Sequence, residues 1–515
     1  MAKAWIGSLL EIRLNHAPSD FLEHTAYSLA VDFARGIQEI LDHELDCELQ
    51  QDASPTPGDA SDAAESDSED ASSHESDCGG KGASGSQMPE RPTAPPTWKR
   101  PTNRRKAVSA AVATAAKKRS NKSRYYSRKA KSATRAAERT SRFTPAMKYR
   151  VRLSLSRRFK VVAVEDIQAD AGGLGACKGA WRALYKKEAT RLVSLQEALG
   201  PMGLRLIEWD GIKPVILVDK HRRIIGVLVG RPAEVEGREP WADTLQQVEG
   251  ALDQLHEELE WGDNEVLPKL SSKQGSTVNR RGKYAAASEG PSFGGGQRRP
   301  MNLSHTPKNQ EALRRFNENP AVQRMGSVAN GAFAFYAPKL YKYYVDTLQK
   351  LYDHDPTLVP PFYGTIWANK TNSTGKQCVS YMHNDHNNLA FGWCAIQSLG
   401  EFDHRAGGHL ILQQFGVVAE FPAGSTILLP SAVVRHGNTP IAEGERRRSL
   451  VYYTAGGLFR WVEYGFRTEG NLKKTNPALF RKLWMERKTK RLNFALGLFS
   501  HVDELVQDHV AVFGA

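Results

Sequence analysis

Apolar side chains come in short runs separated by turn residues from about residue 204 onward, and are sparse over most of the stretch before it. "LRLIEWDGIKPVILVDKHRRIIGVLVGRP" (204–232) reads as short strands, with a hairpin joining Val215–Val218 to Ile224–Val229. Trp241, Leu245, Val248, Leu252, Leu255 and Leu259 then recur at steps of four and three, which is one face of an amphipathic helix. A second helix is predicted to open at Pro338 and run through "KLYKYYVDTLQKLY", because proline lacks only an N–H that the first turn leaves unused. Between 362 and 466 the pattern is strand and turn throughout, including "VVAEF", the turn "PAGS" and "TILLP". Beyond 476, Leu479, Phe480, Leu483 and Trp484 return to helical spacing. No internal repeat is present. The pattern predicts an α+β chain with a mainly β core and flanking helices.

Composition changes the picture for the first third of the chain. Residues 1–41 hold "FLEHTAYSLAVDFARGIQEIL", a short amphipathic helix by its spacing. An acidic low-complexity linker is expected over 42–98: Asp42 to Asp77 alone carries thirteen Asp and Glu and no Lys or Arg. Such a segment cannot bury enough apolar surface to offset its chain entropy. The charge then reverses. Lys99 to Arg142 has sixteen Lys and Arg against the single acid Glu138, with Tyr125 and Tyr126 among them. This tract (99–145) is expected to be a disordered nucleic-acid-binding or nuclear-targeting arm, since each cation brought to a phosphate releases a counterion. The acidic block is positioned to compete for it. The whole N-terminal tail is thus expected to be disordered, with 146–200 a helical connector.

The net charge of +13 and a pI near 9.4 favour an anionic partner such as DNA. Five scattered cysteines form no CxxC pair, so neither a disulfide framework nor a cysteine zinc site is indicated, which points to a reducing compartment. No signal-like apolar region and no membrane-length run is seen, so a soluble nuclear protein is expected. "AGGLGACKGA" (171–180) lacks the GK[ST] of a phosphate loop.

The candidate chemistry lies in "YMHNDHNNLAFGWCAI" (381–396), where polar residues interrupt apolar runs. On an extended strand His383 and Asp385 project to the same side, an imidazole beside a carboxylate. His436 ends another apolar run, in "LLPSAVVRHGNTPI". Two histidines and one carboxylate make the facial set that holds non-haem Fe(II) and leaves positions open for other ligands. Eleven residues after His436, "GERRRSLVYY" puts Arg447 and Ser449 on one strand face, a fork suited to a carboxylate such as that of 2-oxoglutarate. Spacing alone leaves open that both histidines are hydrogen-bonded core residues.

"HNDHNNLAFGWCAI…FDHRAGGHLIL…EFPAGSTILLPSAVVRHGN…RRSLVYYTAGGLFRWVEYGF" resembles the fungal TET/JBP group of 2-oxoglutarate and Fe(II)-dependent dioxygenases. The resemblance extends back through "WDGIKPVILVDKHRRIIGVLVGRP", "SFGGGQRRPMNL" and "AFYAPKLYKYY", covering roughly 204–467. It implies a double-stranded β-helix of the jelly-roll or cupin-like kind at 201–475; the helical spacing beyond it makes 476–515 a C-terminal helical extension. It implies His383, Asp385 and His436 as iron ligands, and Arg447, Ser449 and His409 as contacts to 2-oxoglutarate. It implies Asn388 as the amide that hydrogen-bonds an extruded cytosine and Tyr453 as the ring that stacks on it. A base must be flipped from the duplex to be reached at all. Dioxygen would be consumed and the methyl group of 5-methylcytosine in DNA hydroxylated, with further oxidation following.

Some positions depart from the group's pattern: Asn384 stands where Arg is common, "LQQF" replaces a Trp-Asp stretch, and "RHGN" stands for "SHSN". Only Arg298 and Arg299 offer themselves as a second co-substrate arginine. Rival readings are the same chemistry on N6-methyladenine, thymine, RNA or protein, and a non-catalytic, transposon-associated DNA-binding protein.

Overall fold

The computed structural model describes residues 163–513 apart from 168, 178–180, 188, 235, 263–265, 270–278, 295–296 and 363, and not the side chains of 487–489. The helix expected at 1–41, the acidic linker at 42–98 and the basic tract at 99–145 lie outside the described residues.

The strands of the two principal sheets are, in chain order, β1 (Ala163–Asp166), β2 (Arg205–Ile207), β3 (Val215–Val218), β4 (Ile224–Gly230), β5 (Ala286–Glu289), β6 (Asn369–Ser373), β7 (Cys394–Glu401), β8 (Leu410–Leu412), β9 (Val417–Ala419), β10 (Thr426–Leu429), β11 (His436–Asn438) and β12 (Arg446–Tyr453). The larger sheet runs β1-β3-β4-β10-β7-β12-β6-β5 and the smaller β11-β8-β9-β2. Pairing is antiparallel except for β1 with β3 and β2 with β9. The expected hairpin is β3 and β4. Both are buried along their full length, which is why their sequences are continuous apolar runs and not alternating ones.

The helices are α1 (Trp241–Glu258), α2 (Pro307–Glu318), α3 (Pro320–Tyr336), α4 (Pro338–His354), α5 (Gly456–Glu463), α6 (Glu469–Thr475), α7 (Pro477–Thr489), α8 (Arg491–Gly497) and α9 (Leu505–Phe513). The apolar stripe predicted for α1 is its buried face: Trp241, Val248, Leu252 and Leu255 are in the core. α2 and α3 open on paired start signals, a capping side chain followed by proline. Thr306 accepts from the Asn309 N–H ahead of Pro307, and Asn319 accepts from Ala321 and Val322 across Pro320. Among the described residues no helix is long and apolar enough to cross a membrane.

Two expectations need correction. The stretch expected to be a helical connector, 146–200, is mostly extended or coil over its described residues, with a 3-10 turn at Ala171–Gly173 and a short α-helix at Leu195–Leu199. Its strand β1 completes an edge of the larger sheet, so tertiary pairing decides its conformation. The region from 362 to 466 is not strand and turn throughout, because α5 closes it: Leu458, Phe459 and Trp461 share the buried face of a helix. A short apolar run does not by itself distinguish the two periods.

The faces of β12 place the site. Arg448 turns outward to α1, where it donates to Glu249 at 3.2 Å and ion-pairs with Asp253. Its neighbours Arg447 and Ser449 therefore point to the opposite face. The helical layer covers one side of the larger sheet, and the chemistry lies on the other.

Candidate metal centre

His383 and His436 face one another across an antiparallel bridge, each backbone N–H donating to the other's carbonyl at 2.9 Å. Directly opposed residues project their side chains to the same side. The imidazoles accordingly stand together, with ring centroids 4.3 Å apart. The bridge needs glycine at 437, since a Cβ there would lie 2.9 Å from both the Ser380 carbonyl and the Met382 sulfur. Two residues beyond His383, the Asp385 N–H donates to the Ser431 carbonyl at 3.0 Å and fixes the carboxylate on the imidazole side.

The result is a compact donor set. His383 Nε2 lies 3.8 Å from Asp385 Oδ1 and His436 Nε2 lies 4.0 Å from Asp385 Oδ2. All three ligand atoms fall within 4.8 Å of one another, and all three residues are buried. Two atoms bonded at about 2.1 Å to one ion can be no more than about 4.2 Å apart, so the set closes on a single ion with small shifts.

The electronic state of the donors suits a cation. His383 Nδ1 lies 2.7 Å from the Tyr381 carbonyl and His436 Nδ1 2.8 Å from that of Val434. A carbonyl only accepts, so each Nδ1 carries the proton and each Nε2 presents its lone pair inward. Burial, the neighbouring His436 and Arg281 hold the His383 pKa well below its ordinary value, and burial lowers that of His436. Both rings are neutral near pH 7. Burial alone would raise the Asp385 pKa, but Arg281 and the two rings outweigh it and keep the carboxyl ionised well below the usual range. Ser431 orders the carboxylate further: its hydroxyl hydrogen-bonds Asp385 and accepts from Asn388 Nδ2 at 3.3 Å.

A second cluster is built on β12 and at the start of β8. Arg447 is only 2% exposed, yet no carboxylate pairs with it among the described residues. Its Nη1 donates to the Cys378 carbonyl at 2.6 Å, Phe402 and Phe421 line its guanidinium, and its Nε has no partner. Gly408 makes room for it: φ there is +73° and an added Cβ would touch the Arg447 side chain at 3.1 Å. The next residue, His409, is fully buried. Its Nδ1 meets the Thr439 hydroxyl at 2.9 Å while its Nε2 has no partner. Ser449 is buried between Ser373 and Ser398 on the flanking strands. A buried guanidinium and an imidazole with unmet hydrogen-bonding capacity are what an anionic co-substrate would satisfy.

Tyr453 lies on the same face of β12, half-buried. Its hydroxyl bonds Thr371 and Ser288, and its ring is near enough to Asp385 and Arg281 to feel both charges. Asn388 is placed by its N–H to the Asp385 carbonyl at 2.8 Å and by a bridge to Ala455. Of the eight residues singled out in the sequence, His383, Asp385 and His436 converge, Asn388 is joined to Asp385 through Ser431, Arg447, Ser449 and Tyr453 share one face of β12, and His409 adjoins β8, the partner of β11.

No family model matches the chain, and no curated protein matches it. Among solved structures the chain is similar to NgTET1 in complex with 5mC DNA, at 10% identity, a TM-score of 0.33, and coverage of 51% of this chain and 88% of that one. It is also similar to an oxidoreductase of the 2OG-Fe(II) oxygenase family from Burkholderia pseudomallei, at 16% identity, a TM-score of 0.21, and coverage of 42% and 90%. Both likenesses are too loose to argue from, and the functional reading rests on the site itself.

The pattern of the sequence missed Arg281, which forms an ion pair with Asp385. It stands in "NRRGKY", about a hundred residues upstream, and nothing local marks it. Arg298 and Arg299, the expected candidates, are exposed beside the small hairpin of Pro291–Ser292 and Met301–Asn302. Gly294 lies in that turn, and Gly295 and Gly296 are outside the described residues. His354, His386 and His404 do not join the triad: His354 stacks on Phe466, His386 meets Tyr185 edge-on and His404 approaches Glu420. Among the described residues only the triad gathers three metal-binding side chains.

Proposed function

We propose that this chain is a 2-oxoglutarate- and Fe(II)-dependent dioxygenase on a double-stranded β-helix, oxidising the methyl group of 5-methylcytosine in DNA to 5-hydroxymethylcytosine and further. The observation that carries the reading is the convergence of His383, Asp385 and His436, brought from two separate segments, with both Nε2 lone pairs and an ionised carboxylate turned to one point. Two imidazoles and one carboxylate are the donor set of Fe(II) oxygenases and also of some catalytic zinc sites; the buried Arg447 guanidinium, with no carboxylate partner among the described residues, favours an oxygenase with an anionic co-substrate. When bound, the ion would couple the oxidation of 2-oxoglutarate by dioxygen, yielding succinate and CO₂, to the insertion of one oxygen atom into a C–H bond.

The protein's own groups do the rest. Arg447 and Ser449 bind the distal carboxylate of 2-oxoglutarate, and His409 supplies a further contact from its unpartnered Nε2. The partners of Nδ1 hold each ring in the tautomer that leaves Nε2 basic. Asn388 reads the Watson–Crick edge of an extruded base, and Tyr453 offers it a π-face. The basic tract at 99–145 supplies non-specific affinity for DNA and directs the protein to the nucleus.

The test is anaerobic reconstitution with Fe(II) and 2-oxoglutarate, followed by exposure to air with a methylated duplex. Nucleoside mass spectrometry should show 5-hydroxymethylcytosine together with succinate, and His383→Ala should produce neither. Oxidation of N6-methyladenine, thymine or RNA instead would keep the enzyme class and replace the substrate. Equal succinate release by the wild type and His383→Ala would defeat the enzyme assignment in favour of a non-catalytic DNA-binding protein.

A further inference from the structure

Two segments far apart in the chain flank the residues that carry the triad, and both are basic. On one side lies 181–189. Trp181 anchors it, buried edge-on against Tyr464 with the Arg491 guanidinium over its ring at 4.4 Å. The Ala183 N–H donates to the His386 carbonyl at 2.9 Å and that of Ala189 to the Met382 carbonyl at 3.0 Å. Arg435, the residue before His436, ties into the same segment by donating to the Lys187 carbonyl at 3.0 Å. The outward side carries Tyr185, 61% exposed and edge-on to His386, with Lys186 and Lys187 beside it, also exposed.

On the other side lies 279–284, fixed by the Tyr381 N–H donating to the Arg281 carbonyl at 2.7 Å and by Asn279 bonding the Tyr284 carbonyl at 3.0 Å. Arg281 turns in to Asp385, while Arg280 and Lys283 are exposed.

What sets these cations apart is their place, on the two segments that pair with residues 381–386, since no acid pairs with the exposed Lys308 or Lys350 either among the described residues, although others are neutralised. Arg314 pairs with Glu311 and Glu318, Arg222 with Asp166, and Lys342 with Asp346. No acid pairs with Lys186, Lys187, Arg280 or Lys283 among the described residues. Like charges gathered on these two segments repel one another, and a polyanion laid across them removes that repulsion. Both segments pair through their backbones with the same stretch, 181–189 at Met382 and His386 and 279–284 at Tyr381. An exposed tyrosine next to paired lysines is also the pattern by which proteins combine phosphate contact with base stacking.

We infer that 185–187 and 280–283 are the nucleic-acid docking rim of the site. Lys186 and Lys187 contact phosphates on one side of the target nucleotide, Arg280 and Lys283 do so on the other, and Tyr185 stacks on a neighbouring base. The inference rests on the nucleic-acid reading above and says how the strand is held.

The test measures equilibrium binding of the full-length protein to a methylated duplex as a function of salt. The variants are Lys186→Glu/Lys187→Glu, Arg280→Glu/Lys283→Glu and Tyr185→Ala, with Lys308→Glu/Lys350→Glu as a control of equal charge change on exposed helix positions. The N-terminal basic tract contributes equally to every protein and cancels in the comparison. Each rim pair should flatten the slope of log affinity against log salt by roughly 1.8, which is about 0.9 per lost phosphate contact, while the control keeps the wild-type slope. Tyr185→Ala should weaken binding by roughly 5- to 100-fold with an unchanged slope. A photocrosslinking residue at position 185 should label the duplex in the wild-type background. Wild-type slopes in both rim pairs, or no crosslink at 185, would overturn the inference. A wild type that binds through the rim yet oxidises no nucleic acid would instead overturn the proposed function and leave the rim standing.

Discussion

Replacing Arg447 by methionine separates a residue that holds the fold together from one that waits for a ligand. Arg447 is buried, and loss of its water is the main reason its pKa falls from 12.5 to about 10. At about 1.4 kcal/mol per unit, the folded chain carries a cost on the order of 3 kcal/mol for keeping that charge. Against this stands the hydrogen bond to the Cys378 carbonyl, worth about 1.5–3 kcal/mol for a charged donor. The packing on Phe402 and Phe421 is largely kept, because a thioether also packs well against aromatic rings. The two effects nearly cancel. Arg447→Met should therefore leave the unliganded protein within about 1 kcal/mol of the wild type, unlike most substitutions at buried positions.

With 2-oxoglutarate the proteins should diverge. At a hundredfold excess over Kd the ligand stabilises the wild type by about 2.7 kcal/mol. In the variant its distal carboxylate would enter the site without a cation, a loss of about 3–5 kcal/mol, or roughly two to four decades in affinity. Thermal unfolding with redox-inert Mn(II), with and without 2-oxoglutarate, reads both quantities. A variant that responds to 2-oxoglutarate as the wild type does would remove Arg447 from the co-substrate site. A variant several kcal/mol less stable without ligand would show that the guanidinium is structural.

Three other outcomes follow from the same geometry. Ser431→Ala removes the hydroxyl that joins Asp385 to Asn388, and metal titration should show affinity reduced by about 10- to 100-fold with the fold retained. Lys370 is buried with its pKa lowered to about 8, and it bonds Asn317 at 2.7 Å beside Glu289, which in turn accepts from Asn317 and Asn372. Lys370→Met should cost about 3–5 kcal/mol by denaturant unfolding, because it strands Glu289, and adding Glu289→Gln should recover part of the loss; no recovery in the double variant would refute the pairing. His305 donates from Nε2 to the Ser288 carbonyl at 2.7 Å, its Nδ1 is buried without a partner, and burial lowers its pKa. The unfolded chain takes up this proton near pH 6.5 and the folded chain only below it, so stability is full above about 6.5 and declines as pH falls through it, by up to about 1.4 kcal/mol per unit. His305→Gln should flatten that slope between pH values of about 7.5 and 5.5, and an unchanged slope would contradict the assignment.

Local pattern was enough to find the elements whose burial writes itself into a period. The β3–β4 hairpin, the stripe of α1 and the proline start of α4 are all legible, because in each the side chains that meet the core recur at the spacing of the backbone. The same pattern nominated His383 with Asp385, since alternation along an extended chain puts them on one side, and Arg447 with Ser449 for the same reason. It could not decide between strand and helix for the short apolar run of α5. Nor could it show that the described part of 146–200 is mostly extended, because β1 takes its conformation from β3.

Only the tertiary structure decided which distant residues meet. The His383–His436 bridge spans more than fifty residues and depends on a glycine that no period announces. Arg281 reaches Asp385 from about a hundred residues upstream, and Trp181 fastens a basic segment across the triad from about two hundred. Side-chain period is a property of one element and can be read along it. Convergence of elements is set by sheet order and packing, which depend on the whole chain at once.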